Sequence, residues 1–207
     1  MLYKRSFLAG IIFAISTAIS LLTPSQIMGW ILFSLGMALV MYNQLWLFTG
    51  KINFHNWHSD LKESLIVLLF NLFGAIVAGG LIAVACPSVT TIALHYVEEL
   101  LSLNIVQVLV SAVGCGILSY IALITANSYT GENSCVGLTV LIMCCAGFMA
   151  CGFTHCIVLA SQLAMAGVNM TLAQILKTLL YLLIVVIGNS LGSILFYQLH
   201  YSPQTTE

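Results

Sequence analysis

The chain has 207 residues, of which 61% are hydrophobic and 5% charged, and its formal net charge is −1. An ordinary soluble domain carries about 25% charged residues, so these side chains cannot cover a water-facing surface. Five Lys and Arg in all are also too few and too scattered to bind nucleic acid, which needs clustered cations.

A bilayer-spanning helix takes roughly 20 mostly apolar residues. Apolar stretches fall at 7–22, 27–47, 61–85, 105–126, 136–166 and 172–198, which predicts six spans. The segments between them are short and carry almost every charge, so residues 1–207 form one transmembrane domain. Pro24 and Ser25 open the second span and Pro87 closes the third. Residues 127–133, with Gly131 and Glu132, separate the fourth from the fifth. The start MLYKRSFLAGIIFAISTA also has the pattern of a signal peptide, but removing it would leave five spans and discard the first member of an internal symmetry.

Placing the N-terminus in the cytoplasm puts Lys4, Arg5, Lys51 and Lys62 inside and Lys177 outside, as the positive-inside rule requires. Both termini are then cytoplasmic. Trp30, Trp57, Tyr96 and Tyr201 fall near span ends, where amphipathic rings anchor at the interface.

The symmetry is an internal repeat. Asn71-Leu-Phe-Gly74 in the third span has a counterpart in Asn189-Ser-Leu-Gly192 in the sixth. The second and fifth spans each run into an interruption, at Leu47-Phe48-Thr49-Gly50-Lys51 and at Gly152-Phe153-Thr154-His155-Cys156. Three spans followed by three more have opposite orientations in the membrane. That is an inverted 3+3 repeat, and transporters of this design bind their solute near the midplane, at discontinuous helices.

Among residues able to do chemistry, His155 stands out, because no other charged or histidine residue lies between Glu132 and Lys177. A polar, ionisable ring in mid-membrane is costly and usually faces a cavity. Desolvation there favours the neutral imidazole, which can still donate a hydrogen bond or relay a proton. The alternative is a histidine hydrogen-bonded between helices. Thr49 and Lys51 belong to the opposite interruption, where freed amides and helix N-termini favour an anion. Thr49 reads equally as a cap, and Lys51 as a topology-setting loop lysine. Asn71 and Asn189 can bridge to unsatisfied backbone at a break, and the glycines after them allow close helix approach.

These features resemble the formate/nitrite transporter family over nearly the whole chain. Phe33-Ser-Leu-Gly-Met37 followed by Leu47-Phe48-Thr49 resembles the second helix and Ω-shaped break of that family. Phe148, seven residues before His155, resembles its fifth helix, and the two N-x-x-G segments resemble its third and sixth. The resemblance implies a homopentamer of six-helix, aquaporin-like protomers in the cell membrane, each with its own pore. It implies that Phe33 and Phe148 form one constriction and that Met37, Leu47 and Phe48 form another, with His155 and Thr49 between them. Gly50 and Tyr120 would support the breaks, and Lys51 and Asn104 would line vestibules. No cofactor or metal is implied. Three positions depart from the family pattern: Asn104 stands where a lysine precedes the fourth helix, Thr154 where an acidic residue precedes the histidine, and Tyr120 where the fourth helix carries an asparagine.

The sequence therefore predicts a channel for a small monovalent weak acid such as formate, nitrite, hydrosulfide or a short monocarboxylate, passing with a proton. A channel for small neutral solutes such as ammonia, hydrogen sulfide, water or a small amide is the alternative, although the N-P-A signature of water channels is absent. A membrane enzyme or redox protein built on Cys151, His155 and Cys156 fails on ligand count and on the missing carboxylate base. The seven cysteines read as small hydrophobes.

Overall fold

The computed structural model describes residues 1–51, 57–129 and 131–200. Tyr201, the ring of Trp57 and the side chain of Glu132 lie outside the described residues. The described chain is helical throughout: α1 Leu2–Leu22, α2 Gln26–Tyr42, α3 Phe48–Lys51, α4 Trp57–Ala85, α5 Ser88–Ser102, α6 Ile105–Ser128, α7 Ser134–Ala150, α8 Cys156–Ala166 and α9 Leu172–His200. Among the described residues, α1, Leu61–Ala85 within α4, α6 and α9 are each long and apolar enough to cross a bilayer alone. The remaining apolar helices α2, α7 and α8 are shorter.

The predicted spans 27–47 and 136–166 are each broken. The first break lies earlier than the sequence suggested. Helix α2 stops at Tyr42, residues 43–47 leave the helix, and Phe48–Lys51 is already the next helical turn. Thr49 and Lys51 therefore stand on α3, after the unwound stretch. The second break covers residues 151–155, one residue either way from the expected segment.

Both breaks are made by the same hydrogen bonds, 108 residues apart. Leu45 N–H donates to Val40 O and Gln44 N–H to Met41 O, just as Phe153 N–H donates to Phe148 O and Gly152 N–H to Met149 O. This pair of bonds is the Schellman termination, whose turning residue must adopt the left-handed conformation. Gln44 has φ +52° and Gly152 φ +67°. Glycine adopts that region freely, whereas a residue with a Cβ is strained there by about 1–2 kcal/mol.

Each unwound stretch is clasped by one asparagine from a neighbouring long helix. Asn71 on α4 accepts from Phe48 N–H at 3.0 Å and donates to Trp46 O at 2.9 Å and to Ser6 O of α1 at 2.7 Å. Asn189 on α9 accepts from Cys156 N–H at 2.9 Å and donates to Thr154 O at 3.0 Å and to Ala112 O of α6 at 2.8 Å. A break in an apolar environment leaves backbone groups with no water to bond, each a loss of several kcal/mol. One carboxamide, with its paired donor and acceptor, meets two such groups and ties them to a carbonyl of the adjoining long helix.

Close approach of the long helices makes this reach possible. A Cβ on Gly10 would overlap the carbonyl oxygen of Asn71, and one on Gly116 would overlap that of Asn189. Gly74 and Gly192, the last residues of the N-x-x-G segments, meet the carbonyls of Phe7 and Val113 in the same manner. So α1 lies along α4 as α6 lies along α9. Their outer faces carry matching exposed stripes, Leu61, Leu65, Leu69 and Phe73 on α4, and Leu179, Leu183, Ile187 and Leu191 on α9. Water would not tolerate such surfaces, but hydrocarbon or another apolar chain does.

The segment between the third and fourth spans is not a plain connection. It forms α5, which buries Val89, Ala93, Val97 and Leu100 and packs chiefly against α8. Their three-to-four-residue spacing is the signal of a one-sided helix. The charged face of His95, Glu98 and Glu99 masks it in an average over the segment.

Candidate functional site

His155 ends the second break as the N-cap residue of α8 and is 1% exposed. Its Nδ1 accepts from Ile157 N–H at 3.2 Å. An accepting Nδ1 carries no proton, so the neutral ring carries its proton on Nε2. That Nε2 has no partner. Among the described residues, it and Thr49 Oγ1 are the two buried side-chain polar atoms without a hydrogen bond. Thr49 itself is fully buried on α3. One unmet group thus ends the second break and the other lies just after the first, one in each half of the chain.

Aromatic rings hold the imidazole in place. It lies nearly parallel to Phe13 (centroids 5.3 Å apart, 22° between planes) and to Phe148 (6.1 Å, 21°). Phe33 closes the group by its edge, 5.8 Å from both Phe13 and Phe148 at 85° and 83°. Phe33 and Phe148, expected from the sequence as a constriction, thus form one cluster with the histidine. Phe13 is the member that sequence reasoning missed. Its only signal is an aromatic residue in the first span, three residues after Gly10 and one helical turn before Thr17.

One cavity reaches this cluster and a second lies at the first break. The larger, about 530 Å³, is lined by the end of α1, the start of α2, α5 and the second break, and it reaches His155. The other, about 380 Å³, is lined by Arg5, the end of α2, the first break, Lys51 and the end of α6, and it reaches Leu47. Met37, Phe48, Phe33 and Phe148 line neither and are almost wholly buried. His155 lines the larger cavity, whereas the buried Thr49 lines neither.

The remaining expected residues are placed as follows. Lys51 lines the smaller cavity, where its ammonium lies 3.9 Å from the Trp46 ring centroid and 3.7 Å from Glu63. Gly50 lets α3 approach α6, since a Cβ there would meet Leu123 Cδ1 at 2.6 Å. Tyr120 packs on Phe196 and Tyr197. Asn104 does not line the larger cavity. Its side chain accepts from Gln107 N–H and its own N–H donates to Gln107 Oε1, both at 2.9 Å, a capping box that starts α6. Trp30 and Tyr96, read as interface anchors, both line the larger cavity. Thr154, just before the histidine, has its hydroxyl 3.4 Å from that of Ser111.

The sequence pattern of the formate/nitrite transporter family matches residues 1–202. No curated protein matches the chain. Among solved structures, the fold is similar to a pentameric formate channel with formate bound, at 22% identity and a TM-score of 0.79, covering 97% of this chain and 94% of that one. It is similar too to an ion channel of the same family, at 21% identity and a TM-score of 0.80, covering 97% and 88%.

Proposed function

The chain belongs to the formate/nitrite transporter family, and we propose that it passes a small monovalent weak acid across the membrane as the neutral acid, at His155. The observation that carries this reading is the free Nε2 of a buried, ring-clamped histidine at the inner end of the 530 Å³ cavity. A buried donor without a partner is destabilising by about 1–3 kcal/mol, and a solute oxygen satisfies it. The α8 N-terminus behind the ring adds partial positive charge for an oxygen that is still ionised.

The order of events follows from magnitudes. Protonating a carboxylate of pKa about 4 costs roughly 4 kcal/mol at pH 7, at about 1.4 kcal/mol per unit. Stripping water from the ionised form costs of order 20 kcal/mol in the idealised limit and several in practice. The plug of Phe33, Met37, Leu47, Phe48 and Phe148 is apolar, so the anion takes a proton from water or by way of His155 before crossing it. Thr49 Oγ1 offers the next polar contact beyond the histidine.

In this reading the matched breaks are the two arms of an inverted repeat of six spans, related by a pseudo-two-fold axis in the membrane plane. Residues 1–207 act as one transmembrane unit with both termini cytoplasmic, in the cell membrane. Five copies assemble, each with its own pore, and the apolar stripes on α4 and α9 supply surface for lipid and for neighbouring copies. The resemblance to a pentameric channel supports the number. In proteoliposomes, formate uptake is expected to rise as external pH falls, and His155→Asn, which keeps a capping side chain, is expected to alter that dependence. Uptake indifferent to both pH and the substitution rejects the relay.

One observation favours a channel for uncharged solutes such as ammonia, hydrogen sulfide or a small amide: among the described residues, no lysine or arginine stands on the wall of the larger cavity. Stopped-flow light scattering with formate, hydrosulfide and urea separates the two readings.

A further inference from the structure

The two cavities differ in charge. Arg5 and Lys51 stand on the wall of the smaller one. The larger is lined by neutral polar groups, among them Thr23, Gln26 and Gln162, and, among the described residues, by a single ordinarily charged one, Glu99. Lys177, the one cation on neighbouring α9, does not face it. Its ammonium donates to Leu101 O at 2.9 Å and lies 5.5 Å from the Tyr181 ring centroid, in a separate recess shared with Glu98.

The end of the helix does not favour that carboxylate. Glu98 and Glu99 sit close to the C-terminal end of α5, where the helix dipole disfavours negative charge, and the last turn holds no basic residue. Glu98 is engaged by Gln174 Nε2 at 3.1 Å, outside the cavity. Glu99 has one neighbour able to offset it, His95, whose Nε2 lies 3.3 Å from Oε1 and is charged only when protonated. Both side chains are largely exposed. The other titratable groups on this wall are Tyr96, Cys151 and His155, which add no negative charge unless the phenol or the thiol ionises.

We propose that Glu99 is a selectivity-determining residue of the larger mouth, holding it at negative potential so that anions are depleted there relative to the undissociated acid. This deepens the function proposed above and rests on it. A mouth walled by low-dielectric protein focuses the field of one charge, and the effect fades with salt because the screening length is about 8 Å at physiological ionic strength. Selection of the neutral form then begins at the entrance, before the apolar plug.

The exposed thiol of Cys151 lies on the same wall and reports the potential without any transport. The experiment compares how fast cationic and anionic methanethiosulfonates modify Cys151 in nanodiscs, read by mass spectrometry in a background with Cys86→Ser and Cys135→Ser. The cation-to-anion rate ratio is expected to exceed that for free 2-mercaptoethanol about threefold or more at low salt. It should fall to the free-thiol value in Glu99→Gln, invert in Glu99→Lys, and stay unchanged in Glu98→Gln. A ratio that is the same in the parent and in Glu99→Gln overturns the proposal, even if the protein carries formate. A ratio that follows Glu99 in a protein that carries no formate supports the charged mouth and removes the acid-channel reading. In a transporting protein, Glu99→Gln should raise formate uptake at pH 7 about twofold to fivefold at low salt and leave it unchanged at high salt.

Discussion

The two breaks share their scaffold and differ in what they hold. Residues 43–47 and 151–155 end their helices with the same pair of backbone bonds, and each is clasped by an asparagine through three hydrogen bonds. At the position just before the following helix, one carries Leu47 and the other His155. At the position seven residues earlier, one carries Val40 and the other Phe148. The first break thus contributes a hydrophobic seal, and the second a polar ring lying between Phe13 and Phe148. In the proposed function the second break carries the chemistry, and the first is free to serve as a barrier.

If the frame is duplicated, equivalent lesions should cost equivalent amounts. Asn71→Ala and Asn189→Ala each leave two buried backbone groups of the break unpaired and should each lower stability by about 2 kcal/mol or more, read as melting temperature in detergent. A large loss for one alone breaks the equivalence. Gly10→Ala and Gly116→Ala push a methyl against a backbone carbonyl that cannot swing aside, and should each cost about 2 kcal/mol. The turning residues sharpen the comparison from the other direction. Gly152→Ala should destabilise by about 1 kcal/mol, whereas Gln44→Gly should stabilise by up to about 1 kcal/mol by relieving a left-handed residue. His155→Asn should be the mildest for folding, under about 1 kcal/mol, because asparagine also caps a helix. Its effect belongs to transport.

Much of this frame is legible in the sequence because it rests on residue types with few uses in an apolar helix. Asn71 and Asn189, followed at fixed spacing by glycines, announce both breaks, and a lone His155 announces a cavity. The exact end of α2 was not legible, since its turning residue is Gln44 rather than glycine and the apolar run continues through Leu47. Helix α5 was hidden because its buried face is only Val89, Ala93, Val97 and Leu100, diluted by charged neighbours. Phe13 was hidden for the opposite reason: an aromatic residue in an apolar span looks like every other membrane-facing residue until its partners are placed. Asn104 also starts α6 through a capping box, a role that its sequence neighbour Gln107 announces.

The central claim is that the crossing species is the uncharged acid. A pH-sensitive dye sealed inside proteoliposomes tests it directly, with formate added outside and protein-free liposomes as the baseline. A neutral acid releases its proton on arrival, so the lumen should acidify by one proton per formate taken up, at a rate that a membrane potential does not change. Formate entry that leaves internal pH unmoved and follows an imposed potential would contradict the account.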